Sequence, residues 1–314
     1  MSSVDIQLHA ALARAVAGVP YDELRGRVAA LSHRYRTEQI ADAAPGMRDA
    51  LDALAYAVVR MPATFRALHA ALSTVQHPPT THLDLGGGTG AAAWAAASLW
   101  PAISTEIVER QPAAIHLGRQ LATGNFSSTW RWTTADLRDW SPPTTTDLIT
   151  IGYVLNELTD DTRRDLIRAA AGRAKTVVLV EPGTPSGHRR TLAARDLLIE
   201  QGFTIAAPCP HQGPCPVDWC HFAARLPRTE LHRALKDGTR NYEDEKFAYV
   251  VATRCPVRPA AARVLTRPIR RKGQVVLDLC TAAGTSERVV VPKSSSAYRS
   301  ARSASWGDEA PMIT

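Results

Sequence analysis

Apolar positions at three- and four-residue spacing dominate the first quarter of the chain. Ala, Leu and Val recur in this way from residue 5 to residue 75, as in VDIQLHAALARAV and MRDALDALAYAVV. This spacing is typical of amphipathic helices. Pro20 and Pro45–Gly46 interrupt the pattern and predict helix boundaries, while Pro62 is expected in the first turn of a further helix. We therefore predict a helical region over residues 1–76.

Between residues 77 and 206 the pattern changes to short apolar runs that alternate with helical stretches. Four runs are typical of β-strands: ISTEIVER (103–110), TWRWTTADL (129–137), DLITIGYVL (147–155) and TVVLVEPG (176–183). A further short apolar run opens THLDLGGGTG and ends in a glycine loop. Strands separated by helices predict a parallel sheet with right-handed crossover connections. This part of the chain is therefore expected to form an α/β domain with a Rossmann-like sheet.

After residue 206 the alternation stops, and all five cysteines of the chain lie in this last part. APCPHQGPCPVDWCHF has the composition of a loop, and strand patterns return from residue 243. We expect residues 207–314 to form a Cys-rich extension that completes the sheet. An odd number of cysteines in an intracellular chain argues against a disulfide framework and favours metal binding.

The composition of the 314 residues, 45% hydrophobic and 21% charged, is that of a globular protein with a full core. No run of eighteen apolar residues is present, so we expect no membrane span and no membrane partner. The first residues carry neither a basic secretory segment nor an obvious organelle leader. These observations predict a cytoplasmic protein.

The net charge of +7 is concentrated near the end of the chain. Residues 1–255 hold 27 Lys and Arg against 26 Asp and Glu, whereas residues 256–314 hold 10 against 4. A basic segment of this kind favours contact with the phosphates of a nucleic acid. The alternative is a solvated tail in a protein that has 32 Arg and 5 Lys.

A glycine loop, DLGGGTG, follows the first predicted strand. Glycines let the backbone approach a ligand closely. Glu109 ends the second predicted strand, where a carboxylate accepts hydrogen bonds from ribose hydroxyls, and Asp136 follows the third, where it faces an adenine amino group. No basic run or G-K-[ST] follows the loop, so a nucleoside without phosphate, S-adenosylmethionine, is the predicted cofactor. The candidate cofactor residues are Asp84, Gly86, Gly88, Gly90, Glu109 and Asp136.

The glycine loop and its acidic partners together resemble a class I methyltransferase fold over roughly residues 80–205. Amino-methylating enzymes of that fold often carry an Asn/Asp-Pro-Pro-Tyr/Phe motif at the end of the fourth strand. Residues 152–158 read GYVLNEL instead. Asn156 and Glu157 are the candidate catalytic residues, because their side chains could orient a methyl acceptor. Helix capping is the alternative that we favour for both.

Three cysteines, Cys209, Cys215 and Cys220, lie within twelve residues. Neighbouring thiolates repel one another, and a metal stabilises such a group most easily. A fourth ligand must come from elsewhere, and the candidates are Cys280, Cys255, His211 and His221. Four thiolates suit zinc or an iron–sulfur cluster, whereas a histidine favours zinc. Three unrelated thiols in one loop remain the alternative.

Several sequence blocks resemble a known family. They are AYAVVRMPATFRAL, LDLGGGTG, GYVLNEL, VLVEPGTP, CPHQGPCP with DWCHF, EDEKFAYVV, LDLC and AYRSARSASWGD. Together they are similar to the mitochondrial small-ribosomal-subunit methyltransferase-like assembly factors and their bacterial relatives. The resemblance extends over residues 30–310, and the Cys-rich block with DWCHF is its most specific part.

The resemblance implies a class I methyltransferase fold and association with the small ribosomal subunit or its rRNA. It also implies a [4Fe–4S] cluster, with zinc as the alternative, and leaves Cys255 as a spare thiol. The implied ligands are Cys209, Cys215, Cys220 and Cys280. Three functions follow as hypotheses: an rRNA methyltransferase, a catalytically inactive assembly factor that uses the fold as an RNA-binding scaffold, and a small-molecule methyltransferase.

The resemblance also gives the basic segment a partner, since its cations would bind rRNA phosphates, and no DNA is expected. Arg299, Arg302 and Trp306 would add cations and a stacking surface. Hydrated arginines, with Trp306 filling an edge of the core, are the alternative. The candidate RNA-binding residues are Arg267, Arg270, Arg271 and Lys272.

Overall fold

The computed structural model describes the chain except for residues 1–2, 37–46, 48, 127–128, 141, 236–238 and 311–314. Four helices come first, as predicted: α1 (Ser3–Val16), α2 (Tyr21–Arg36), α3 (Ala50–Val59) and α4 (Met61–Leu72). Pro62 lies in the first turn of α4, where its missing N–H has no helical partner to lose. The boundary predicted at Pro45–Gly46 lies outside the described residues.

The predicted alternation of strands and helices is confirmed in the middle of the chain. The elements are β1 (Thr81–Leu85), α5 (Ala91–Leu99), β2 (Ser104–Glu109), α6 (Pro112–Ala122), β3 (Trp130–Thr134), β4 (Thr146–Gly152), α7 (Asp160–Ala171), β5 (Ala174–Pro182), α8 (Pro185–Glu200) and β6 (Thr204–Ala207). Each strand is a short apolar run with turn residues at its ends, which is why the sequence pattern located it.

The main sheet is mixed, whereas the sequence predicted a parallel sheet. After the Cys-rich loop come β7 (Phe222–Pro227), α9 (Glu230–Leu235) and β8 (Tyr242–Thr253). The order is β3-β2-β1-β4-β5-β8-β6, and β8 runs antiparallel to β5, β6 and β7. β7 pairs with β8 along its whole length, from Phe222 opposite Phe247 to Pro227 opposite Tyr242.

A second, smaller sheet follows residue 261. Its elements are β9 (Ala262–Val264), β10 (Ile269–Arg271), β11 (Gln274–Thr281), β12 (Ser286–Pro292), α10 (Tyr298–Ser303) and β13 (Glu309–Ala310). Val264, Leu277 and Val291 from three of its strands pack with Ala301 of α10 in a core of their own. Residues 262–310 therefore pack around an apolar core of their own.

Helices cover both faces of the main sheet. Along β5, Val178 and Val180 join the core formed with the N-terminal helices, whereas Val177 and Leu179 join the core formed with α7 and α8. This alternation follows from the two-residue period of a strand. Among the described residues, we find no helix with the length and apolar character needed to span a bilayer.

Candidate cofactor cleft and cysteine cavity

The glycine loop after β1 is shaped by positive φ angles at three of its glycines. The φ angles of Gly86, Gly88 and Gly90 are 67°, 55° and 93°, a region that side chains disfavour. A Cβ at Gly86 would lie 2.6 Å from a Val154 methyl, whereas a Cβ at Gly88 would meet nothing within 4 Å. Gly86 therefore packs tightly, and Gly88 borders open space.

Glu109 at the end of β2 holds this loop in place. Its Oε2 accepts a hydrogen bond from the Gly88 amide at 3.0 Å, and its Oε1 accepts from the Arg110 and Gln111 amides at 2.8 Å each. Burial raises the pKa of Glu109, and the amide hydrogen bonds oppose this shift. The carboxylate is therefore fixed in one orientation beside the loop.

Four of the six predicted cofactor residues line one cleft. They are Gly86, Gly88, Glu109 and Asp136, and the cleft has an empty volume of about 770 Å³ including the solvent at its mouth. Its walls come from the carboxyl ends of β1, β2 and β4, where ligands bind in open α/β sheets. Asp136 pairs with Arg138 at 2.6 Å, and this contact lowers the pKa of its carboxyl to about 2.

The other two predicted residues support the cleft without lining it. Gly90 is the N-cap of α5, and Asp84 is buried beneath the loop. The Thr150 hydroxyl donates to Asp84 Oδ1 at 2.7 Å, while Asp84 Oδ2 is buried with no hydrogen-bond partner among the described residues. Burial raises the pKa of Asp84 to about 7.

His82, which the sequence analysis missed, extends this buried polar chain. Its Nε2 lies 2.8 Å from the Thr150 hydroxyl and its Nδ1 lies 3.2 Å from the Thr105 hydroxyl. Burial lowers its pKa to about 3, so the ring is neutral. The signal in the sequence was the i, i+2 spacing of His82 and Asp84, which puts both on one face of β1.

The candidate catalytic residues Asn156 and Glu157 lie on a short 3₁₀ turn, Leu155–Glu157. Helix α7 is capped by Thr159, whose hydroxyl accepts from the Thr162 amide, so the capping interpretation favoured from the sequence is wrong. Glu157 lines the cleft, and burial followed by the Glu109 charge raises its pKa to about 7. Asn156 Oδ1 is buried with no hydrogen-bond partner among the described residues.

Tyr153 forms a wall of the cleft that the sequence did not reveal. Its φ angle of 61° is unusual for an aromatic residue and marks backbone strain. The Tyr153 hydroxyl donates to Glu245 Oε1 at 3.0 Å, and Arg60 Nη2 donates to the same oxygen at 3.2 Å. The strained residue is therefore held by side chains from the α3–α4 junction and from β8.

The four cysteines implied as ligands line one cavity. Cys209, Cys215 and Cys220 lie in the loop between β6 and β7, and Cys280 comes from β11 of the small sheet. Most of the wall is apolar, with Phe222, Tyr249 and Leu265 among its members. Cys255 follows β8 and does not line this cavity. The structure thus brings three loop thiols together with one thiol distant in sequence.

The cavity contains neutral thiols and also two buried cations. Burial raises the pKa of the Cys209 and Cys220 thiols, and raises that of Cys280 to about 12. The guanidinium groups of Arg195 and Arg263, 2% and 3% exposed, act in the opposite direction on Cys209 and Cys280. Burial outweighs the two guanidinium charges, so the thiols of Cys209, Cys220 and Cys280 are neutral at neutral pH.

Each of these two arginines also anchors the loop. Arg195 Nη2 donates to the carbonyl oxygens of His211 and Gly213 at 3.1 and 2.7 Å. Arg263 donates to the carbonyl oxygens of Pro208 and Gly307 at 2.9 and 3.0 Å. Sequence reasoning missed both, because nothing in the periodicity distinguishes a buried arginine from a hydrated one.

No three His, Cys, Asp or Glu side chains of the described residues are grouped closely enough to hold a metal ion. The metal-binding character predicted for the extension is therefore not seen as a formed coordination site. His211 Nε2 lies 3.4 Å from Cys280 Sγ, so this pair interacts by a hydrogen bond. Four thiols, an apolar wall and two buried guanidinium groups nevertheless surround the same cavity.

The predicted RNA-binding residues lie on or near the β10–β11 hairpin. Arg267 pairs with Asp244 at 2.6 Å, and Arg270 donates to the carbonyl oxygens of Arg302 and Ala304. Arg271 and Lys272 are exposed at the hairpin turn. Arg299 and Arg302 lie on α10, while half-buried Trp306 packs edge-on against His221.

Comparison with curated proteins finds mitochondrial relatives. The chain is 29% identical to the human "Ribosome assembly protein METTL17, mitochondrial" over 83% of this chain and 63% of the relative. It is 26% identical to the "Rsm22-cox11 tandem protein 2, mitochondrial" of Schizosaccharomyces pombe over 82% of this chain and 43% of the relative. The chain thus spans less than two thirds of the length of either relative.

Two of the solved structures that align with this chain are methyltransferases by name. An O-methyltransferase family protein from Burkholderia thailandensis aligns with a TM-score of 0.48 and 12% identity, over 73% of this chain and 72% of that chain. Precorrin-6y C5,15-methyltransferase from Geobacter metallireducens aligns with a TM-score of 0.41 and 18% identity, over 60% and 88%. No conclusion about activity follows from either.

A family profile described as "Mitochondrial small ribosomal subunit Rsm22" matches residues 50–311. The resemblance seen in the sequence blocks is thereby confirmed. The predicted cytoplasmic location is wrong by these comparisons, because the family and both relatives carry mitochondrial names. Since the match covers most of the chain, this protein belongs to the Rsm22 family.

Proposed function

We propose that this protein binds S-adenosylmethionine in the cleft and acts in assembly of the small ribosomal subunit, through contact with its rRNA. The observation that carries the first part is the convergence of Gly88, Glu109 and Asp136 on one cleft. The ribosomal part is supported by the Rsm22 family and by a relative named as a ribosome assembly protein. We expect neither a DNA partner nor a membrane partner.

Gly88 offers a direct test of cofactor binding. An arginine at this position would extend into the open space beside the loop, so Gly88→Arg should abolish binding of S-adenosylmethionine in a calorimetric titration. Gly18→Arg is the matched control, because Gly18 also has a positive φ of 85° and open space around a Cβ. Binding that survives Gly88→Arg would reject the proposed cleft.

We further propose that Cys209, Cys215, Cys220 and Cys280 hold a [4Fe–4S] cluster. Four thiols and no histidine in the implied ligand set suit such a cluster, and a single zinc is the alternative. Arg195 and Arg263 would offset its negative charge. When bound, the cluster supplies a covalent link between the Cys-rich loop and the small sheet.

Anaerobic purification of the whole protein tests this proposal. We expect a brown protein with broad absorbance at about 400 nm and about four irons per chain. Cys280→Ser should lose both signals, whereas Cys255→Ser should keep them, because Cys255 lies outside the cavity. A colourless protein that carries one zinc per chain would replace the cluster with the zinc alternative.

Arg271 and Lys272 are the best exposed of the candidate RNA-binding residues, since Arg267 and Arg270 make contacts within the protein. Reversing both charges, Arg271→Glu with Lys272→Glu, should weaken co-sedimentation with the small subunit by about tenfold. Arg164→Glu with Arg168→Glu on α7 is the control, because both arginines are half-exposed and lie on another surface. An equal loss of co-sedimentation in both double variants would show a nonspecific effect of charge.

Methyl transfer to rRNA is the second candidate function. Glu157 lines the cleft with a pKa of about 7, the range in which a carboxylate acts as a base at neutral pH. A methylating enzyme predicts that a Glu157→Gln strain lacks one specific rRNA methylation. An unchanged modification profile, with subunit maturation intact in Gly88→Arg, would favour the inactive assembly factor. If the wild-type protein does not co-sediment with the small subunit, a small-molecule methyltransferase is favoured.

A further inference from the structure

A second large cavity lies between the Cys-rich loop and the small sheet. It measures about 690 Å³, a volume in the range of small-ligand sites. Three aromatic residues, Trp219, His221 and Trp306, line it together with strands of the small sheet. We call it the aromatic pocket. The proposed cofactor cleft shares no lining residue with it.

The aromatic residues of this pocket form an open stack. The ring of His221 lies parallel to that of Trp219, with centroids 4.2 Å apart and an angle of 15° between the planes. Trp306 meets the other ring of the stack, His221, edge-on at 4.9 Å. Trp219 nevertheless remains 44% exposed, more than is usual for a large apolar side chain. An indole held rigid by stacking and left open to solvent is a ready surface for a further flat ring.

Charged groups of both signs surround the stack. Arg267, Arg288, Asp278 and Glu287 line the pocket. Asp278 is fixed by Arg288 at 2.6 Å and by the Thr266 hydroxyl at 2.8 Å. The exposed Lys246 ammonium lies 5.9 Å from the centre of the Trp219 ring. The pocket therefore offers hydrogen-bond acceptors, donors and one nearby cation around an aromatic face.

We propose that the aromatic pocket binds an unpaired nucleotide of an RNA strand, with its base stacked on Trp219. Bases stack on aromatic side chains in single-stranded recognition, and their edges carry the donors and acceptors that carboxylates and guanidinium groups complement. The Lys246 ammonium, 5.9 Å from the centre of the Trp219 ring, supplies a cation for an adjoining phosphate. This inference rests on the proposed association with rRNA and adds where a single strand is held.

Fluorescence anisotropy of the full-length protein with labelled single-stranded RNA of about ten nucleotides tests the proposal. Trp219→Ala should weaken binding by about tenfold, because stacking contributes about 1–3 kcal/mol per base. Trp219→Phe should restore most of the affinity, and binding to an RNA duplex of the same length should not change. Lys246→Ala, which leaves the loop beside Cys220 intact, should also weaken single-strand binding.

Tyr242→Ala is the matched control. Tyr242 is another exposed aromatic residue with a cation over its ring, Arg225 at 4.0 Å, but it does not line the pocket. The proposal is wrong if Trp219→Ala and Lys246→Ala bind single strands like the wild type, or if Tyr242→Ala loses as much. It is also wrong if a free nucleoside monophosphate binds as tightly as the strand. Co-sedimentation of the wild type without single-strand binding would reject the pocket and leave the proposed function standing.

Discussion

At the scale of single residues, two carboxyl groups in or beneath the cleft have a pKa raised to about 7. Asp84 is buried beneath the loop, and Glu157 lines the cleft, where loss of hydration and the Glu109 charge raise its pKa. Burial disfavours the charged form, so both groups are partly protonated at neutral pH. A ligand with a positive charge would favour their ionised forms. Proton release and cofactor binding are therefore expected to be coupled.

We predict that S-adenosylmethionine, which carries sulfonium and ammonium charges, binds more tightly at pH 8 than at pH 6. The sign follows because the cation lowers raised carboxyl pKa values, so protons leave as the ligand enters and affinity rises as pH passes through about 7. Calorimetry in two buffers of different ionisation enthalpy measures the released protons. Glu157→Gln should release fewer, and proton uptake on binding would contradict the prediction.

At the scale of elements, α6 and β3 are in close contact at Gly118. A Cβ at Gly118 of α6 would lie 2.2 Å from the Trp132 ring of β3. Nearby, Trp94 meets the rings of Phe126 and Trp130 edge-on, at 5.0 and 5.7 Å. The helix therefore lies directly against the indole of Trp132, and its distance from the sheet depends on a residue without a side chain.

Gly118→Ala is expected to destabilise the protein by about 1–3 kcal/mol, since a packed aromatic ring must move. Urea denaturation followed by circular dichroism measures the free energy of unfolding. Gly26→Ala in α2 is the control: a Cβ there meets nothing within 4 Å. It should stabilise the helix by roughly 0.5–1 kcal/mol, because alanine has the higher helix propensity. A similar decrease in the free energy of unfolding for Gly118→Ala and Gly26→Ala would refute the packing argument.

The sequence predicted those elements whose apolar residues follow a regular period. Strand β5 was found because its buried run is long, and α4 because Pro62 suits a first helical turn. The direction of β8 was not predictable, since periodicity does not tell a parallel neighbour from an antiparallel one. Helix α10 was missed because its stability comes from Ala301 packing against the small sheet.

Residues of the site were predictable where chemistry forces the residue type, and not where it depends on tertiary contacts. The role of the glycines in the loop after the first strand, and that of Glu109 at the end of the next strand, could be predicted from residue type and position alone. Arg263 does not, because its partner at Pro208 lies 55 residues away. The hydrogen bond from Tyr153 to Glu245 spans 92 residues and was hidden for the same reason.

On the scale of the whole molecule, the small sheet is attached at a few points. Arg263 joins it to the Cys-rich loop, and Cys280 meets His211 of that loop. A second link pairs the side chain of Gln76 with the backbone of Arg258, at 2.9 Å in both directions. The proposed cluster would add a strong link at the cavity, so its loss should loosen the small sheet first.

Hydrogen–deuterium exchange tests this order of loosening. In Cys280→Ser we expect faster exchange in β9 to β13 and unchanged protection in β1 to β5, because metal-binding free energy is also folding free energy. Cys255→Ser should leave both regions as in the wild type. Equal loss of protection in the two sheets would show that the cluster stabilises the protein as one unit.

Strand β8 has a consequence for how the protein is made. It lies between β5 and β6 in the main sheet and also pairs with β7, and its Glu245 holds Tyr153 in the wall of the cleft. During synthesis this strand leaves the ribosome only after most of the chain has emerged. Until then, β5 and β6 expose unpaired edges that invite aggregation. We therefore expect nascent chains that end before residue 253 to require a chaperone.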